Sequence, residues 1–169
     1  MTGWACGTQW FGKTTFCKIL AGYEQPDEGQ VLLDGKPLSE YKGYCPVQLI
    51  WQHPQEAVNP RRKMKTVLEE GGVLDERLIH GLGIEKEWME RYPGELSGGE
   101  LQRFCIARAL GEKTSFLLAD EITAMLDLIT QSQIWNFLLE EVRSREIGLL
   151  VVSHSEPLLQ RICTGRIQL

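Results

Sequence analysis

"LSGGELQR", residues 96–103, is the stretch on which the fold turns. A serine and two glycines stand directly before a run in which Leu101, Phe104, Cys105 and Leu110 fall on or near one helical face, closed by Gly111. That spacing predicts a helix starting at Gly98. Its first turn would leave backbone N–H groups unpaired at the positive end of the helix dipole, which suits an anion.

Outward from that helix, the chain alternates. "SFLLADE" (115–121) is a short apolar run closing on two acids, the pattern of a buried parallel strand whose C-terminal end carries chemistry. Residues 130–145 place Ile134, Phe137, Leu138 and Val142 on one helical face, and "IGLLVVSH" (147–154) reads as a second buried strand. Upstream, "KTTFCKILA" (13–21) spaces Phe16, Ile19 and Leu20 as a helix that stops at Gly22. "GQVLLDGKPL" (29–38) reads as a hairpin about Asp34-Gly35, and "PVQLIWQHP" (46–54) as a strand ending near Gln52. Residues 60–95 are polar with irregularly spaced leucines, which predicts short helices. Strands alternating with helices indicate an α/β fold with a mostly parallel sheet.

A second anion-binding pattern precedes the first helix. In "CGTQWFGKTT" (6–15), Gly7, Gly12, Lys13 and Thr14 satisfy G-x-x-x-x-G-K-[ST]. The glycines let backbone N–H groups turn inward around phosphates, Lys13 adds a point charge, and Thr14 can offer its hydroxyl to Mg²⁺. Asp120 then stands where a strand-end carboxylate can join the Mg²⁺ shell, and Glu121 where a carboxylate can polarise an attacking water.

The bulk numbers narrow the class. At 169 residues, with 43% hydrophobic and 24% charged, the chain predicts one compact domain. A net charge of −5 argues against a general nucleic-acid binder. The five cysteines form no CxxC pair, so neither a disulfide framework nor a zinc site is indicated, and a reducing cytoplasm fits. No window reaches the roughly 18–20 apolar residues of a spanning helix, so any membrane connection is expected to run through a partner.

With "LSGGELQR" added to the phosphate loop and "FLLADE", the sequence resembles the ATP-binding cassette (ABC) ATPases. The resemblance runs from Gly7 to the final "GRIQL" and implies a P-loop NTPase fold, its mostly parallel sheet flanked by helices, with a small helical subdomain at about 55–110. It further implies that Gly7, Gly12, Lys13, Thr14 and Thr15 bind ATP, and that Ser97, Gly98 and Gly99 close on the γ-phosphate held by a second cassette. Gln52, in "LIWQHP", matches the glutamine that touches Mg²⁺ and attacking water, so Thr14, Gln52 and Asp120 form the implied metal set. Asp127, in "TAMLD", matches the aspartate that communicates across the dimer. His154 matches the histidine that contacts the γ-phosphate, and joins Glu121 and Gln52 as the implied catalytic residues. "WQHPQEAVNPR", "ERYPGELSGGELQR" and "DEITAMLDLITQSQIW" resemble the peptide and nickel importer subgroup.

The function so implied is that of an ATPase subunit energising an importer of peptides or nickel. ATP and Mg²⁺ are its cofactors, with a second cassette, identical or different, bound head-to-tail and a transmembrane permease as partners. The implied location is the inner face of the cell membrane. A second expectation is a truncated or degenerate subunit that pairs with a competent cassette without hydrolysing ATP. It is motivated by four departures from the family pattern. Only six residues precede Gly7, where the family usually carries some tens with antiparallel strands and an adenine-stacking aromatic, so a shortened N-terminus is expected to weaken adenine binding and to threaten the first sheet strand. Trp10 and Phe11 occupy positions of a glycine and a small residue. Ser155 replaces an acid, and the segment from Gln52 to Ser97 is short. Crowding by Trp10 predicts weakened ATP binding that Trp10→Gly strengthens.

Overall fold

In a computed structural model, the described residues are 4–6, 12–73 and 75–167, with backbone alone for the first three. Five strands form one parallel sheet in the order β4-β5-β6-β1-β7. They are β1 (Trp4–Cys6), β4 (Val47–Ile50), β5 (Phe116–Asp120), β6 (Gly148–Val152) and β7 (Gly165–Ile167). The strand before the phosphate loop, expected to be compromised, is paired on both sides, with β6 and with β7.

Alternation along the strands sends side chains to opposite faces, and each face has its own core. Leu117, Ala119, Leu149 and Val151 point into the larger core, shared with the helical segments. Leu49, Leu118, Leu150 and Val152 point into the smaller one, covered by α1 (Lys13–Leu20) and a hairpin. The hairpin is β2 (Leu32–Leu33) and β3 (Lys36–Pro37), joined by Asp34 (φ 52°) and Gly35 (φ 78°). Two successive positive φ values match the right-handed strand twist, which is why Asp-Gly marks the turn.

Between β4 and β5 the chain is helical: α2 (Met64–Glu70), α3 (Glu76–Gly81), short 3₁₀ turns and α4 (Gly98–Ala109). As the spacing predicts, Leu101, Phe104, Cys105 and Leu110 of the α4 region are buried. The amphipathic helix read at 130–145 is α5 (Leu128–Ser144), with Ile134, Leu138 and Val142 buried and Phe137 packed at the margin.

Two local readings shift. The innermost residues here are Cys17 of α1 and Ala21, its C-cap, while Phe16 and Leu20 pack at the edge of that core. Small side chains let the helix approach the sheet closely, and larger ones flank the contact. The chain also forms α6 (Glu156–Ile162) after His154, with Pro157 in the first helical turn, where proline's missing N–H costs nothing.

Candidate nucleotide-binding and hydrolysis site

Parallel strands deliver their C-terminal ends to one edge of the sheet, and the candidate residues collect there. Gly12 precedes α1 with φ 97°, a conformation open to glycine, and Lys13 and Thr14 open the helix. Thr14 Oγ1 donates to Asp120 Oδ2 at 2.7 Å, across 106 residues of chain. Asp120 is 3% exposed, so its carboxylate is aimed rather than solvated. Lys13 is buried and Thr15 exposed on the same first turn. Gly7, Trp10 and Phe11 lie outside the described residues.

Glu121 follows at the strand end. Its φ is 50°, the left-handed region that costs a non-glycine residue about 1 kcal/mol or more. Its N–H donates to Val152 O at 2.9 Å, extending the β5·β6 pairing by one step. The carboxylate accepts from the His154 backbone N–H at 2.6 Å through Oε1, which also lies 3.8 Å from His154 Nε2. Glu121 and His154 therefore stand together, beside the Thr14 and Asp120 pair.

Gln52 lies two residues past β4, half-buried, in a bent segment. The register pairs Ile50 with Ala119, so Gln52 stands just beyond the level of Asp120 on the neighbouring strand. Gln102, buried in α4, donates from Nε2 to the Trp51 carbonyl at 3.2 Å, which ties the segment carrying Gln52 to the helix that begins in "LSGGELQR".

At the start of α4, Ser97 and Glu100 form a reciprocal capping box: Glu100 N–H donates to Ser97 Oγ at 3.2 Å and Ser97 N–H to Glu100 Oε2 at 2.7 Å. Gly98 and Gly99 are the first helical residues. A Cβ on Gly99 would meet Leu126 Cδ2 at 2.9 Å, so the glycine admits the loop that follows Glu121. Among the described residues, no hydrogen bond joins Ser97, Gly98 or Gly99 to Thr14, Asp120 or Glu121. The structure thus groups Lys13, Thr14, Asp120, Glu121 and His154, and no hydrogen bond joins the start of α4 to that group among the described residues.

Asp127 caps α5, accepting from the Ile129 and Thr130 N–H groups at 3.0 Å each. Hydrogen bonds from Thr130, side chain first and then backbone, hold its carboxyl below the ordinary value of 3.8. Just upstream, Met125 and, inside α5, Leu128 and Ile129 are exposed apolar side chains. Sequence reasoning passed over Thr123, buried beneath the same loop and contacted by Gln131 and Trp135 of α5. The four-residue spacing of Gln131 and Trp135 places both on one face of α5, but nothing in that spacing names Thr123 as what they meet.

The donor set fits Mg²⁺. The Thr14 hydroxyl and the Asp120 carboxylate, with Gln52 just past the end of the neighbouring strand, are hard oxygen donors of the kind that ion takes alongside phosphates. Among the described residues, no group of three or more His, Cys, Asp or Glu could hold a metal ion. No described helix is long and apolar enough to cross a membrane.

Comparison with known proteins agrees with this geometry. The family model described as "ABC transporter" matches residues 6–124. The nickel import ATP-binding protein NikE of Rhodospirillum rubrum is 34% identical over 170 residues, covering 90% of this chain and 61% of that protein. The oligopeptide transport ATP-binding protein OppF of Streptococcus mutans is 30% identical over 172 residues, covering 89% of this chain and 55% of that protein. The chain thus spans under two thirds of the length of either relative. A bacterial ABC transporter cassette, MJ0796, solved as a dimer, superposes on 99% of this chain and 81% of its own with a TM-score of 0.78 at 22% identity.

Proposed function

This chain belongs to the ABC transporter family, and from that premise we propose that it binds and hydrolyses ATP to energise an importer, of peptides or of nickel. The observation that carries the reading is the 2.7 Å contact between Thr14 and Asp120, with Glu121 and His154 beside it at the same edge of the sheet. The phosphates would lie along the N-terminus of α1, where Lys13 and unpaired N–H groups neutralise charge. Thr14, Asp120 and Gln52 would hold Mg²⁺, which when bound supplies positive charge to the phosphate oxygens.

Glu121 orients a water in line with the γ-phosphorus and takes its proton as the new P–O bond forms. The bond from phosphorus to the bridging oxygen breaks, and ADP leaves with its electron pair. His154 fixes the Glu121 carboxylate through its backbone N–H and offers its ring to the transferred phosphoryl group. Catalysis on this plan is positioning plus charge stabilisation.

On the family resemblance, a second cassette, identical or different, docks head-to-tail so that Ser97, Gly98 and Gly99 complete that cassette's γ-phosphate shell. Asp127 and the exposed Met125 and Leu128 would lie in that contact. The helical run at about 55–110 acts as the subdomain that meets a permease, and through it the chain sits on the inner face of the membrane.

The test is a Mg-ATP titration and a phosphate-release assay on the parent, Lys13→Ala and Glu121→Gln. Saturable binding lost in Lys13→Ala, with turnover abolished and binding retained in Glu121→Gln, is the expected result. A Glu121→Gln variant that turns over at the parent rate removes Glu121 from its role. Binding without turnover in the parent, partner present, supports a non-hydrolytic subunit instead.

A further inference from the structure

The left-handed backbone of Glu121 is costly and must be imposed by its surroundings. Its first restraint is the Val152 carbonyl, on the strand side. The next is the turn itself, in which Ala124 N–H donates to Glu121 O at 3.1 Å and Leu126 N–H to Thr123 O at 3.1 Å. Thr123 is buried in that turn, 3% exposed, and α5 grips it twice. Trp135 Nε1 donates to Thr123 Oγ1 at 3.0 Å, and Gln131 Nε2 donates to Thr123 O at 2.8 Å. Trp135 is itself 4% exposed, so the donor has no water with which to exchange its bond. The far end of the turn rests on Leu126, packed against Gly99.

We propose that Thr123 is a positioning residue for Glu121, clamped by Trp135 and Gln131 so that the turn holds the Glu121 carboxylate beside His154. The proposal rests on the hydrolytic reading above for its consequence in turnover, and on the geometry alone for the clamp. Without the Thr123 hydroxyl, the Trp135 N–H is buried unpaired and the turn loses its anchor. Glu121 then relaxes toward ordinary backbone angles, and its carboxylate swings off the line of attack. ATP binding, which uses α1 and Asp120, is unaffected.

The experiment compares the full chain with Thr123→Val, which keeps the shape and removes the hydroxyl, Trp135→Phe, which keeps an aromatic ring and removes the N–H, and Thr123→Ser as the conservative variant. Two readouts are taken: kcat and KM for ATP, and amide hydrogen exchange at Ala124 and Leu126 with the β6 amides as control. Thr123→Val and Trp135→Phe should lower kcat about tenfold with KM unchanged, one buried hydrogen bond's worth of misplacement. Their Ala124 and Leu126 amides should exchange about tenfold faster while β6 is unmoved. Thr123→Ser should restore both. An active parent whose kcat is untouched by either substitution overturns the proposal and leaves the hydrolytic reading standing. Unchanged exchange at Ala124 and Leu126 overturns it as well. A parent without turnover overturns the hydrolytic reading, and the exchange readout then decides the clamp by itself.

Discussion

At the scale of single residues, Asp127 is held by hydrogen bonds that only its ionised form can accept fully. Its carboxyl sits below the ordinary value of 3.8, chiefly through Thr130, so the folded state prefers the charged form. The sign follows directly. A depressed folded value contributes stability that is complete above the unfolded value and fades as pH falls through the folded one. The melting-temperature difference between the parent and Asp127→Ala should therefore be constant from neutral pH down to mildly acidic pH, and should shrink below pH 3.8. A difference that ignores pH would show that the carboxylate is not what caps α5. The catalytic candidates were legible in the sequence because each belongs to a short local pattern at a strand end or helix start. Thr123 was not, because its importance lies in partners 8 and 12 positions away whose approach depends on how α5 packs.

At the scale of elements, the start of α4 combines two roles. Ser97 and Glu100 satisfy each other's backbone N–H groups, so the helix that presents the "LSGGELQR" amides is also fixed at its first turn. Ser97→Ala should cost about 1 kcal/mol of stability, the usual worth of an N-cap, visible as a lower urea midpoint with unchanged slope. The same variant at full fold should retain the α4 helix by circular dichroism, since Leu101, Phe104 and Cys105 anchor it in the core. A midpoint equal to the parent's would mean the cap is redundant with that burial. Elements with strong periodicity or turn chemistry, α4, α5 and the Asp34-Gly35 hairpin, were readable from spacing alone. The inward face of α1 was read one position off, because closeness to the sheet rewards Cys17 and Ala21 over the bulkier Phe16 and Leu20. The brief β7 and α6 carry too few residues for a period to register.

At the scale of the molecule, one ion pair links the helical run between β4 and β5 to the sheet-covering helix α5. Glu141 of α5 is fully buried, and Arg77 of α3 reaches it with both guanidinium nitrogens: Nη2 donates to Oε2 at 2.9 Å, and Nη1 stands 2.7 Å from Oε1. The second contact is close but poorly aligned for a hydrogen bond, so it counts as charge attraction only. Arg77 keeps half its side chain in solvent, which lowers its own desolvation cost, whereas Glu141 has surrendered all of its hydration. The pair is therefore asymmetric, and removing the cation is the damaging change. Arg77→Met should destabilise the fold by about 3 kcal/mol, the low end for stranding a buried charge because water can follow the vacated path. Replacing both partners, Arg77→Met with Glu141→Met, should recover most of that loss, since an apolar pair in the same space leaves no charge unpaired. Urea unfolding of the two single variants and the double closes the cycle. If the double variant loses the sum of the singles, the two side chains act independently, and the tie between the helical run and α5 must come from apolar packing in the larger core instead.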